Sequence, residues 1–294
     1  MRRAAFAILF FFVGSIVEAG EFPDVERAIL LHGPWPPRLA ADSSNAVSGS
    51  KAAIALGERL FFDPRLSGTG SVLCATCHVP YRGWQDGRAR AFGLDETELN
   101  TPSLVNARFN RRFGWKATNE NLWKQSIRPL LEPREMRSSA AHVARTVRTL
   151  YYKDYTAAFG REPGTNDEAL LLDAGKALAA FQETLVSART PFDDFRDALE
   201  KGDAEAASRY PVAARRGARV FVERCSGCHA GPEFSNGKIV SGYRVPGLRN
   251  VALTAPYMHD GSVPTLREAA SHSSAIAQPQ IDDLASFLES LTAQ

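Results

Sequence analysis

Several features are scarce in this sequence, and each scarcity excludes something. Beyond its first twenty residues the chain has no apolar run approaching the roughly 20 residues that a membrane-spanning helix needs, so no membrane span is expected in the mature protein. Neither sign of charge dominates. A formal net charge of +2 gives no case for nucleic acid as a partner. Strand-like alternation is also rare, which points to a mainly α protein. Only four cysteines, six histidines and three methionines are present, so any redox or metal chemistry must rest on few side chains.

The first residues, MRRAAFAILFFFVGSIVEAG, combine a basic start at Arg2 and Arg3, an apolar run from Ala4 to Val17 and a small-residue exit at Ala19 and Gly20. This is the pattern of a secretory signal peptide over 1–19, cleaved near Ala19, and it implies a periplasmic protein. An exported chain would by default pair its four cysteines as disulfides. Here they form two Cys-x-x-Cys-His units, CATCH at 74–78 and CSGCH at 225–229, and disulfide pairing gives no reason for a histidine after each pair. Residues at i, i+3 and i+4 of a helical turn share one face. Each unit therefore offers two thiols and an imidazole to one flat object. That is the attachment chemistry of c-type haem: Cys74 and Cys77, then Cys225 and Cys228, form thioethers, while His78 and His229 bind iron. A zinc site would want its second ligand pair some 12–20 residues away, and these pairs are separated by most of the chain.

Gly57, Leu60 and Phe61 precede the first motif with the spacing that Gly217, Val220 and Phe221 show before the second. The glycines are expected to let each helix lie close to a haem edge, with core packing as a compatible reading. Residues 20–50, rich in proline and small polar side chains, read as an extended lead-in. Thr165 and Glu168 form a candidate capping box before an apolar stripe from Leu170 to Leu185, and Pro191 is expected to end that helix. A charged stretch around Gly202 marks a boundary. The expected organisation is two cytochrome c-like haem domains with long loops, at 51–202 and 203–294, and the last helix buries Ile281, Leu284, Phe287, Leu288 and Leu291.

The runs ALGERLFFDPRLSGTGSVLCATCHVPYRGWQDG, NTPSLVNARF, LLEPREM and VPGLRNVALTAPYMHDGSVPTL resemble the bacterial di-haem cytochrome c peroxidases and the related MauG enzymes over nearly all of the mature chain. The resemblance implies a peroxidatic N-terminal haem, with Glu135 as its distal carboxylate and Gln125 sharing the pocket. Trp115 would relay electrons toward a second haem in the C-terminal half. Asn100 by its side chain, and Thr254 and Pro256 by backbone oxygen, match positions that hold a calcium ion. Two departures stand out. Lys116 and Ala117 follow Trp115 where the family has Asp-Gly-Arg, and Ser273 occupies the position at which peroxidases place a methionine, and the MauG branch a tyrosine, on the second haem. Serine is a poor haem ligand. Its neighbour His272 is one candidate iron ligand, with Met258 and Tyr243 as weaker ones, while His32 and His142 read as structural or surface residues.

The leading expectation is a peroxide-dependent oxidoreductase that, like MauG, oxidises an aromatic side chain of a partner protein through high-valent haem. The alternative is a cytochrome c peroxidase that reduces hydrogen peroxide with electrons from small periplasmic cytochromes or cupredoxins. A non-catalytic di-haem electron carrier is a third reading. Against it, Val79 to Ala141 contains no histidine, so a saturating sixth ligand for the first haem is hard to find. The mature protein should carry two haems, each fixed by two thioethers. Replacing both cysteines of the second unit, Cys225→Ser with Cys228→Ser, should leave the second haem alone open to acid extraction; intact mass spectrometry reads this, and retention of both haems in that double variant would defeat the assignment.

Overall fold

The structure, a computed structural model, describes residues 23–38, 42–272 and 276–293. The expected export leader and Ser273 lie outside them. Helices α1 (Pro23–Leu30), α2 (Lys51–Phe61), α3 (Cys74–Cys77), α4 (Leu122–Leu131), α5 (Ala140–Leu150), α6 (Tyr152–Phe159) and α7 (Asp167–Gln182) make up the first part of the described chain. They are followed by α8 (Pro191–Lys201), α9 (Ala204–Ser208), α10 (Val212–Arg224), α11 (Leu266–Ala269) and α12 (Gln278–Glu289). Strand structure is confined, among the described residues, to the hairpin β1 (Ile239–Val240) and β2 (Tyr243–Arg244) and a few isolated bridges. The mainly α expectation stands. No described helix is long and apolar enough to cross a membrane.

Side-chain caps set the helix starts. Ser50, Asn121, Ser139 and Asn166 each accept a hydrogen bond from the third backbone N–H beyond them, at α2, α4, α5 and α7, satisfying a donor that would otherwise lack a partner. Asn166 thus displaces the expected Thr165 box. Pro191 does not end α7, which stops at Gln182; it opens α8 as the first helical residue, inside a Thr190–Asp193 capping box. Proline suits that position because the missing N–H would have had no intrahelical partner.

Apolar faces gather in two clusters. One holds Leu56, Leu60 and Phe61 of α2 against Leu170, Leu178 and Phe181 of α7, with Leu130, Val143 and Tyr155 from α4, α5 and α6. The other holds Phe221 of α10 against Phe287 of α12, and draws in Phe192 and Phe195 of α8, Phe234 and Ile29 of α1. The segment expected to be an extended lead-in is therefore ordered in part. It forms α1 and buries Ile29, His32 and Trp35, because these bulky side chains among the prolines find an apolar surface to cover.

The two flanking glycines serve helix crossing. A Cβ at Gly57 would lie 1.9 Å from the Ala177 carbonyl oxygen of α7, and one at Gly217 would lie 1.9 Å from the Asp283 carbonyl oxygen of α12. Phe181 and Phe287 stand beside these contacts at the same relative position. The expected approach to a haem edge is corrected accordingly: the neighbour at each glycine is a helix backbone. In an ordinary helix Gly→Ala stabilises by about 1 kcal/mol. Gly217→Ala should instead destabilise, by roughly 1–3 kcal/mol, because the methyl must push α12 away. Thermal unfolding of the haem-loaded protein should show a Tm several degrees lower than wild type.

Candidate haem sites

In both Cys-x-x-Cys-His units the histidine N–H donates to the carbonyl of the first cysteine, at 3.0 Å for His78 to Cys74 and 2.9 Å for His229 to Cys225. The single turn of α3 forms the first unit, and the second continues from the end of α10. All four cysteines are free thiols. Burial pushes the thiols of Cys74 and Cys77 up to about 12 and that of Cys225 to about 11. A redox dithiol is activated by the opposite shift.

The two imidazoles are held alike. His78 Nδ1 lies 3.1 Å from the Trp84 carbonyl oxygen and His229 Nδ1 lies 3.0 Å from that of Phe234. Both accepting residues sit at positive φ, 60° at Trp84 and 55° at Phe234, which turns each carbonyl back toward its histidine. Burial lowers both histidines below their usual range against the opposing pull of these backbone bonds. The rings are therefore neutral, with Nδ1–H donating and the Nε2 lone pair available to a metal, the arrangement of a ligating histidine.

A cleft of about 650 Å³ brings together Cys74, Cys77 and His78 with Asn100, Trp115, Gln125 and Glu135, within the usual size range for a cofactor site. Two free thiols, a neutral imidazole and this volume fit a c-type haem. Backbone bonds from Gly68 to Met136, Leu94 to Glu135 and Asp95 to Arg134 pin the Glu135 loop from outside. Glu135 is met by Arg128 of α4, whose Nη1 stands 2.7 Å from its Oε1. Gln125, one turn before Arg128, accepts from Asn119 at 2.8 Å. Met136 also lines the cleft, 2% exposed and packed in the first core, whereas Tyr81 points to solvent at 86% exposure.

Trp115 is held from both halves of the chain. Its indole N–H donates to the Asn100 carbonyl at 2.9 Å, and its own carbonyl accepts from the Arg244 N–H of β2 at 2.8 Å. Arg244 also reaches Asn110 at 3.0 Å, and burial pulls its guanidinium below the usual range. Asn100 is buried, and its N–H donates to the His259 carbonyl at 2.8 Å, so it adjoins the loop carrying Thr254 and Pro256. Among the described residues no three His, Cys, Asp or Glu side chains converge as a metal site, so a cation here would rest on neutral oxygens.

Near the second motif, His272 comes to the His229 ring, whereas Tyr243 stacks on His259 at 3.6 Å and Met258 sits in a tight turn at φ 73°. His32 and His142 are structural, as expected. His32 bonds the Gly231 carbonyl and stacks on Phe234, while His142 bonds the Arg65 carbonyl on the surface. Beside His32, Arg249 and Asp193 form a buried two-pronged pair at 2.8 and 2.9 Å, with the guanidinium over the Trp35 ring. Arg128, Arg244 and this pair were not singled out from sequence. Arg128 had a readable signal, since it stands one helical turn beyond Gln125 and ahead of Glu135, whereas the pairing of Arg249 with Asp193 joins residues far apart in the chain.

A family model described as di-haem cytochrome c peroxidase matches residues 51–201, and one described as RoxA-like, cytochrome c-like matches residues 242–274. The methylamine utilization protein MauG of Methylorubrum extorquens is 33% identical over 265 residues, covering 81% of this chain and 72% of that protein. A cytochrome c peroxidase of Escherichia coli is 29% identical over 88% of this chain and 60% of its own length. The crystal structure of a MauG-like protein associated with microbial copper homeostasis superposes with a TM-score of 0.72 at 26% identity, covering 90% of this chain and 94% of that one. The two haem motifs, the shared cleft and these matches agree: the chain belongs to the di-haem cytochrome c peroxidase and MauG family of oxidoreductases.

Proposed function

We propose that the protein uses hydrogen peroxide at the haem held by Cys74, Cys77 and His78, and that the oxidising equivalents leave through Trp115 to oxidise an aromatic side chain of a periplasmic partner protein. The observation that carries the peroxide reading is the convergence of Glu135, Arg128 and Gln125 on the cleft that holds His78. The haem would supply a metal that binds peroxide and accepts its oxidising equivalents. Glu135 takes the proton that peroxide loses on binding and returns it to the outer oxygen, which departs as water; one positioned carboxylate serves both transfers. Arg128 holds that carboxylate in place by a charge-assisted hydrogen bond. His78, with Nδ1 tied to Trp84, keeps one orientation throughout.

The choice of a partner protein over a small cytochrome donor rests on the second site, where the segment expected to carry methionine presents His272 instead. We also propose that Asn100, Thr254 and Pro256 hold a calcium ion that ties the Trp115 loop to the C-terminal half, supported by the buried Asn100 and its bond to His259.

Adding peroxide to the fully oxidised protein in periplasmic extract tests the reading. The expected result is an immediate spectral change and a mass change on an aromatic residue of one extract protein. Rapid, sustained oxidation of a reduced small cytochrome, with no modified protein, would favour a cytochrome c peroxidase instead. Glu135→Gln should bind peroxide but consume it about 10²–10⁴-fold more slowly, read by stopped flow. Trp115→Phe should leave peroxide consumption nearly intact and slow the spectral change at the second haem, because phenylalanine fills the space but does not readily hold a radical. Equal rates at both haems in wild type and variant would reduce Trp115 to a packing residue.

A further inference from the structure

The two halves repeat each other beyond the haem motifs. One constant spacing in sequence relates Leu104 to Leu248, Asn106 to Asn250, Phe113 to Tyr257 and Asn121 to Thr265. The structure gives the paired residues the same jobs. Asn106 and Asn250 both adopt positive φ, at 64° and 59°. Their N–H groups donate to Leu185 and Leu291, and their side chains accept from the N–H of Ser187 and Ala293, respectively. Phe113 bridges Asn119 as Tyr257 bridges Val263. Asn121 caps α4 as Thr265 caps α11.

Carried two turns further, the same spacing relates Arg128 to His272. Arg128 lines the same cleft as His78 and pairs there with Glu135. His272 should then occupy the corresponding place in the second site, and its ring stands 6.3 Å from that of His229, at 89° to it. Metal–imidazole nitrogen bonds run about 2.0–2.1 Å, so two imidazoles on opposite sides of one metal stand roughly 6 Å apart, centre to centre, once the ring radii are added. Both rings have Nδ1 against a backbone carbonyl, at 3.0 Å from Phe234 for His229 and 2.8 Å from Ala269 for His272. That bond makes Nδ1 the donor and leaves Nε2 of each ring as the metal-binding nitrogen. The segment is anchored, since a Thr265–Glu268 capping box starts α11 and Arg267 pairs with Asp282 of α12. Met258 corresponds by the same spacing to Gly114, and Tyr243 is engaged on His259, so neither competes.

We propose that His272 is the sixth ligand of the haem held by Cys225, Cys228 and His229, with its imidazole plane perpendicular to that of His229. The inference rests on the two-haem reading above. It replaces the methionine or tyrosine of relatives with a second imidazole. Iron so ligated has no open position, and lacks the thioether that raises a haem's reduction potential. Perpendicular imidazole planes also leave two iron d orbitals nearly equal in energy, which produces a strongly anisotropic low-spin resonance.

Electron paramagnetic resonance of the oxidised, haem-loaded protein tests this directly. Wild type should show one strongly anisotropic low-spin signal, and His272→Ala, with both haems verified by mass, should lose it in favour of a high-spin signal. Added imidazole should restore a low-spin signal. His272→Met should keep the second haem low-spin but raise its reduction potential in a spectroscopic titration. An unchanged low-spin signal in His272→Ala, or no such anisotropic signal in wild type, overturns the proposal. The response of the His78 haem to peroxide, read in the same samples, stands apart: its absence in wild type would sink the peroxidase reading whatever ligand the second haem has.

Discussion

The structure depends on one kind of contact, made twice: a glycine of the helix that precedes each haem motif pressed against a carbonyl of a partner helix. Gly57 of α2 against α7 and Gly217 of α10 against α12 bring the backbones so close that no side chain fits between them. That approach seats Phe61 against Phe181 and Phe221 against Phe287, the aromatic centre of each core. It also fixes where the chain leaves each helix, and the cysteines and histidine follow. Close packing of this sort tolerates little, since an interior at crystal-like density cannot absorb even a methyl group without displacement.

Because the same framework is built twice, the difference between the halves is informative. Both proximal histidines are oriented by a carbonyl at positive φ, and both halves are pinned by an asparagine to the segment after their long helix. The divergence lies in what the two corresponding positions meet. The first half places Arg128 against Glu135, a charged pair beside an accessible cleft, while the second half turns His272 toward His229. Under the proposed function, one copy of the scaffold handles protons and the other saturates a metal. Trp115 stands where the halves meet, gripped by Asn100 on one side and β2 on the other.

The segment ahead of the first haem motif belongs to this economy as well. Trp35 lies under the Arg249 guanidinium, which is itself locked to Asp193 in a dry setting. A buried ion pair adds little to stability unless its geometry is good, and here two hydrogen bonds and an aromatic face satisfy the cation. Asp193 doubles as the reciprocal member of the Thr190 capping box that starts α8. One carboxylate thereby couples the start of a helix, the loop after the second motif and the N-terminal segment.

The chemistry was legible in the sequence because it depends on local spacing. Two thiols and an imidazole within five residues meet on one helical turn wherever the fold carries them, and amphipathic stripes at helical period specified the mainly α class. The family resemblance reached Glu135, Gln125 and Trp115, which share the cleft with His78. Local features without long-range content misled: residues 23–35 looked extended by composition, Thr165 looked like a cap, and Pro191 looked like a helix stop. Only the tertiary structure decided what the two glycines touch, which arginine meets Glu135, and that of His272, Met258 and Tyr243 it is His272 that faces His229. Those outcomes turn on which backbone passes within a few ångströms of which side chain, a distance set by the packing of whole helices and not by spacing along the chain.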